Sequence, residues 1–147
     1  MSGFSDTWLI VPCYNEGTVI FDVLTHARET FPNIVGVNDG SADDSAAQIR
    51  AAGAHLVDHP VNLGQGAAIQ TGVEYARKQP GAQYFVTFDA DGQHQEKDVV
   101  RMIERLRTEP LDIIVGTRFA GQENSQVPWI KRAVLKTVVM LSPRTKK

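Results

Sequence analysis

The sequence predicts an α/β fold: a three-layer sandwich whose sheet is mainly parallel, with helices on both faces. Three observations carry this. Short Val- and Ile-rich runs alternate with longer segments of helical periodicity along most of the chain, breakers stand at the joints, and two-residue hairpin signals are absent.

Taken in order, the first strand is TWLIVP, residues 7–12, and a helix follows over about 18–31, stopped by Pro32. IVGVN (34–38) is the second strand, with a helix over about 43–52 that ends at Gly53. HLVDH (55–59) leads into a helix from about 65 to 78, closed by Pro80. YFVTFD (84–89) precedes a helix over about 97–108, and Pro110 separates that helix from the fifth strand, IIVGTR (113–118). Near-continuous apolar strands of this kind suit a sheet covered on both sides. Past Glu123 the chain carries no acidic residue, and an apolar series at Val134, Leu135, Val138, Val139 and Leu141 lies among basic side chains. Residues 128–147 are therefore expected as a basic amphipathic helix and tail, set apart from a main domain at 1–127. Such a helix is either a solvated face or a contact with an anionic membrane surface.

Composition limits what this domain can do. The 147 residues are 42% hydrophobic with a formal charge of -2, enough apolar content for one core and too little basic surface for broad nucleic-acid binding. Cys13 is the only cysteine, which rules out an intramolecular disulfide or a Cys-based zinc site and suits a reducing cytoplasm. No apolar run has the 18 or more residues of a spanning helix, and MSGFSDTW has no signal-peptide pattern.

In a doubly wound sheet, ligands bind beyond the carboxyl ends of the strands, near the reversal of strand order. The unusual residues of this chain fall on that rim: PCYNEG, NDGSADD, HPVNLGQG, DADGQH and GTRF follow the five strands in turn. In DADGQH, Asp89 and Asp91 repel one another unless a proton or cation lies between them. A hard divalent ion such as Mg2+ or Mn2+ resolves this while leaving positions for water and substrate phosphates. Gln93 and His94 stand near enough to add a ligand; a helix cap is the competing reading. Asp39 either accepts a ring N–H of a base or belongs to a turn, whereas Gly40, Ser41 and Asp43 read as turn and cap residues. VNLGQGAAIQTG fails as a dinucleotide fingerprint, since Ile69 stands where a small residue is required; Gly64, Gly66, Ala67, Ala68 and Gly72 read as a helix packed closely on the sheet. Arg118 and Arg132 present forks suited to phosphate oxygens.

Together VPCYNE, NDGSADD, NLGQGAA, DADGQH and GTRF resemble, in order and spacing, the family-2 glycosyltransferases of GT-A fold, a Rossmann-like nucleotide-diphospho-sugar transferase architecture. Within that family the sequence is most similar to the dolichyl- and polyprenyl-phosphate sugar synthases. The resemblance covers Leu9 to about Lys136. It implies that Pro12, Tyr14 and Glu16 line a nucleotide pocket together with Asp39, Asp89 and Ala90, and that Asp39 meets the base. It also implies that Asp89, Asp91 and Gln93 hold Mg2+ or Mn2+ on the diphosphate, and that Asp91, Arg118 and Arg132 serve catalysis. The implied substrates are a UDP- or GDP-linked sugar and a polyprenyl phosphate, joined by an inverting transfer. The expected setting is the cytoplasm, at the inner face of the membrane, and the exposed apolar C-terminal residues are expected to seek peripheral membrane contact or homo-oligomerisation.

Three departures stand out. Asn38 occupies a position where many relatives have Asp, Gln65 one where they often have Lys, and the chain is C-terminally short of the family's domain, so that poor transfer by this chain alone is expected. A non-catalytic nucleotide-binding or assembly module is the alternative. A phospho-receiver domain shares the plan but wants an acidic pair after the first strand, where PCYNE stands.

Overall fold

A computed structural model describes residues 3–90, 96–116 and, as backbone, 138–141. The elements are β1 (Thr7–Cys13), α1 (Ile20–Arg28), β2 (Asn33–Asp39), α2 (Ser45–Ala51), β3 (His55–His59), α3 (Gln65–Ala76), β4 (Tyr84–Thr87), α4 (Glu96–Thr108), β5 (Ile113–Gly116) and β6 (Val138–Leu141). The expected alternation is present; α1, α2 and α3 are one to three residues shorter at one or both ends, and α4 starts one residue earlier. The sheet order is β3-β2-β1-β4-β6-β5. β1 pairs in parallel with β2 and β4, and β2 with β3, while β6 runs antiparallel between β4 and β5.

The last pairing corrects the C-terminal reading. Val138, Val139 and Leu141 do not continue an amphipathic helix; Val138–Leu141 is a strand with Met140 beside Val86 and Ile114. Four consecutive apolar residues led by two Val can serve as a strand as well as a helix face, and pairing with β4 and β5 decides between the two. The remainder of 128–147, and with it Arg132, Val134 and Leu135, lies outside the described residues.

Two apolar clusters flank the sheet. On one face Leu9, Val11 and Cys13 of β1 pack with Ile20, Leu24 and Ala27 of α1, Ile49 of α2 and Val99, Ile103 and Leu106 of α4. On the other, Trp8, Ile10, Val35, Val37 and Phe85 meet Ala68 and Ala76 of α3. The strand period of two divides β1 between the clusters, and the i, i+4, i+7 spacing on α1 and α4 turns one stripe inward. Burying each large side chain contributes about 1.5–3 kcal/mol.

Close packing of α3 rests on fewer small residues than the sequence suggested. A Cβ at Gly72 would come within 2.3 Å of Ile10 Cγ2, whereas Gly64 and Gly66 have nothing within 4 Å of that position. Gly72 and Ala68 therefore let the helix lie on the sheet, and Gly64, at φ +97°, serves the turn before it. No helix among the described residues is long and apolar enough to cross a membrane.

Candidate functional site

Strand order reverses between β1 and β4, and a cleft of 340 Å³ opens there at the carboxyl ends of β1, β2 and β4 and the start of α3. Six residues that the sequence reading assigned to a nucleotide pocket line it: Pro12, Tyr14, Glu16, Asp39, Asp89 and Ala90. Cys13, Asn62, Gly64, Gln65 and Ala68 complete the lining. Sheet register explains the convergence. Pro12 and Cys13 end β1 beside Val37 and Asn38, so Tyr14 and Asp39 leave neighbouring strands at the same level. On the other side Phe88 still donates its N–H to the Ile10 carbonyl at 2.9 Å, which delivers Asp89 and Ala90 to the rim.

Asp39 is 3% exposed and its carboxylate is richly bonded. Oδ1 accepts from His59 Nδ1 at 2.8 Å and from the Leu63 N–H at 2.9 Å; Oδ2 accepts from the Gly64 N–H at 2.9 Å. Burial works to raise its pKa, but the His59, Leu63 and Gly64 bonds outweigh burial and hold it below the ordinary value. Asp39 thus organises a loop, though the one after β3 rather than its own, and it also lines the cleft. A carboxylate offers about four acceptor positions. Three are used among the described residues, and the one left is on Oδ2.

The β1 and β2 loops are stitched together through Asn15 and Ser45 and through Ser41 and Asp43, the last two expected as simple turn and cap groups. The Asn15 N–H donates to Ser41 Oγ and the Ala42 N–H to Asn15 Oδ1, both at 2.9 Å. The Glu16 N–H donates to Ser45 Oγ at 3.0 Å and the Gly17 N–H to Asp43 Oδ2 at 2.9 Å. Asn15 adopts φ 52°, a left-handed turn that Asn tolerates, and so aims Tyr14 and Glu16 at the cleft. Asp43 lies below its ordinary pKa chiefly through the Ser45 hydroxyl, then the Gly17 N–H. Asn38, the first departure noted above, turns away from the cleft: its Nδ2 donates to Asp58 Oδ1 at 2.9 Å and its Oδ1 accepts the Ser41 N–H at 3.3 Å.

The two lowered carboxylates fix the sign of one pH dependence. A folded-state pKa below the unfolded value adds stability that is complete above the unfolded value, about 3.9 for Asp, and is lost as pH falls through the folded one. Urea midpoints are accordingly expected to hold steady from pH 6 to 5 as far as these groups are concerned, and to drop below pH 4. Asp39→Asn, measured in parallel, should show a shallower drop.

Asp89 is 8% exposed, and Gln65 Nε2 lies 3.4 Å from its Oδ1. Gln65, the second departure, therefore meets the acidic group directly, where a Lys would have paired with it by charge. The cleft offers chiefly oxygen donors, from Asp89, Glu16, Asn62 and Gln65, which match a hard divalent ion rather than a thiophilic one. Among the described residues no group of three His, Cys, Asp or Glu side chains would hold a metal unaided. Asp91, Gln93, Arg118 and Arg132 lie outside the described residues. Sequence reasoning missed His59 and Thr71, which stand behind Asp39, and Asn62; the only local signal was a polar residue, His59, ending an otherwise strand-like run on the same rim.

A model of glycosyl transferase family 2 matches residues 8–146. Glycosyltransferase AglJ of Haloferax volcanii is 34% identical over 125 residues, covering 84% of this chain and 40% of its own length. The UDP-N-acetylglucosamine–dolichyl-phosphate N-acetylglucosaminyltransferase of Methanococcus voltae is 29% identical over 144 residues, with 85% of this chain and 57% of the relative covered. The chain thus spans roughly half the length of these relatives. Among solved structures, glucosyl-3-phosphoglycerate synthase of Mycobacterium tuberculosis in complex with Mg2+ and UDP superposes with a TM-score of 0.70 at 19% identity, over 92% of this chain and 56% of that one. This last likeness shows the fold.

Proposed function

The chain belongs to glycosyl transferase family 2, and from that premise we propose that its cleft binds a nucleoside-diphosphate sugar for inverting transfer to a polyprenyl phosphate. One observation carries the reading: Pro12, Tyr14, Glu16, Asp39, Asp89 and Ala90, drawn from three strand ends, line one cleft at the switch point of the sheet.

The proposed roles follow from position and chemistry. Asp39, ionised and with one acceptor position remaining, takes a single N–H from the base. Uracil offers one such imide N–H, whereas guanine offers an N1–H and an amino group side by side and would ask for two acceptors; UDP is favoured over GDP. Half-exposed Tyr14 and Pro12 flank the nucleoside. The start of α3, which begins at Gln65 without a side-chain cap, lines the cleft and is the end of the helix suited to the diphosphate. Asp89, Asp91 and Gln93 would hold a Mg2+ or Mn2+ ion, which supplies positive charge for the diphosphate leaving group. Arg118 and Arg132 neutralise donor and acceptor phosphates. A phosphate monoester is already anionic, so its oxygen attacks the anomeric carbon without a general base, and electrostatic stabilisation of the departing diphosphate dominates. A lipid acceptor sets this chemistry at the cytoplasmic face of a membrane. The relative from Methanococcus voltae, named for a dolichyl-phosphate acceptor, supports that choice.

The test is transfer of radiolabelled sugar from UDP- and GDP-linked donors to a polyprenyl phosphate, with Mn2+ or with chelator. From this chain alone only slight lipid-linked product is expected, and what forms should need the metal and prefer a UDP donor. UDP binding without product from any donor would instead favour a nucleotide-binding module, and absence of both would sink the reading.

A further inference from the structure

His59 is 9% exposed and ends β3 directly beside Asp39 in the parallel register. Its two ring nitrogens are both engaged. Nδ1 lies 2.8 Å from Asp39 Oδ1 and Nε2 lies 2.8 Å from Thr71 Oγ1 on α3. A carboxylate can only accept, so Nδ1 carries the proton and donates it, while the Thr71 hydroxyl faces Nε2. The imidazole thereby ties a helix, a strand end and a carboxylate into one rigid line.

We infer that His59 is a positioning residue that holds the Asp39 carboxylate in the orientation by which it both grips the loop after β3 and meets the base. This rests on the nucleotide reading for its second half only. The reason is geometric. Oδ1 accepts from His59 and from the Leu63 N–H together, and Oδ2 then falls against the Gly64 N–H. With the imidazole donor gone, the carboxylate is free to rotate about χ2, which is broad and roughly two-fold for Asp. Rotation would part both oxygens from the two backbone N–H groups and swing the remaining acceptor position of Oδ2 away from the cleft. Asn62, Gly64 and Gln65, which line the cleft, lie on or next to the same loop, so its loosening reaches the diphosphate end as well.

Two isosteric half-replacements separate positioning from bulk stability. The amide nitrogen of Asn coincides with the Nδ1 position of His, so His59→Asn keeps the bond to Asp39 and loses Thr71. The amide of Gln reaches the Nε2 position, so His59→Gln keeps Thr71 and loses Asp39. Each variant gives up one of the two hydrogen bonds of the ring, one buried and one partly buried, and comparable falls in thermal midpoint are expected. Amide hydrogen exchange of Leu63 and Gly64 reads the positioning without any ligand. Exchange at both is expected to stay within about threefold of wild type in His59→Asn and to accelerate roughly tenfold or more in His59→Gln, the loss corresponding to a hydrogen bond on a charged acceptor. UDP dissociation constants, measured by calorimetry, are expected to follow the same order, with His59→Gln weakened about tenfold. If the two amides accelerate equally in both variants, or in neither, His59 is a packing residue and the inference fails. If the exchange pattern holds while wild type binds neither UDP nor GDP, the positioning role stands and the nucleotide reading falls.

Discussion

Asp89→Asn is expected to weaken Mn2+-dependent UDP binding by at least about ten- to hundredfold, a loss already typical of changes one shell outside a metal. The side chain is almost wholly buried at the rim end of β4, lining the same cleft as Asp39. Asn preserves its volume and an oxygen able to accept from Gln65, so the fold is retained while one negative charge is removed. Where a doubly charged cation must be held against a diphosphate, that charge is the main attraction. Calorimetric titration of wild type and variant, in Mn2+ and in chelator, checks it; the expected pattern is a large difference in Mn2+ and little in chelator. Equal affinities in Mn2+ would remove Asp89 from the metal site, and Asp91→Asn would then have to carry the whole effect.

The second large effect is on stability. Gly40 has φ +71°, and a Cβ there would stand 2.4 Å from both the Asn62 N and the Val61 carbonyl carbon. Both obstacles are backbone, so no rotamer change relieves them. Gly40→Ala combines a left-handed penalty of about 1–2 kcal/mol with overpacking of about 1–3 kcal/mol. A total of about 2–5 kcal/mol would lower Tm by roughly 5–20 °C in a domain of this size. UDP affinity should fall too, because the loop displaced is the one Asp39 holds. Gly66→Ala is the control: the Cβ position is open and lies within α3, so the change is expected to be neutral or to stabilise by up to about 1 kcal/mol. Thermal unfolding of the pair decides it; a Gly40→Ala midpoint equal to wild type would mean that the β2 and β3 loops are not packed as described.

Much of this architecture is legible in the sequence because its signals are local. Helical periodicity on α1 and α4, apolar runs for β1, β2 and β4, and breakers between them need only neighbouring residues to be read. The rim chemistry was legible for a topological reason: in a parallel sheet every strand points its carboxyl end the same way, so the residues after each strand converge. What was not legible depends on pairing at a distance. Val138–Leu141 becomes a strand because β4 and β5 leave a place between them, and its sequence alone also fits a helix face. Asp39 is set by His59 and Thr71, 20 and 32 positions away, and Ser41 and Asp43 look like local turn and cap residues until the β1 loop lies against them.

The most direct measurement is a 1H–15N correlation spectrum of the labelled chain titrated with UDP in Mg2+, followed by trace Mn2+. With the nucleotide in the cleft, the amides of Tyr14, Asp39 and Gly64 shift first, and paramagnetic broadening spreads outward from Asp89 and Ala90. Shifts confined to other faces of the sheet, or broadening centred on exposed carboxylates such as Asp22 and Asp44, would contradict it.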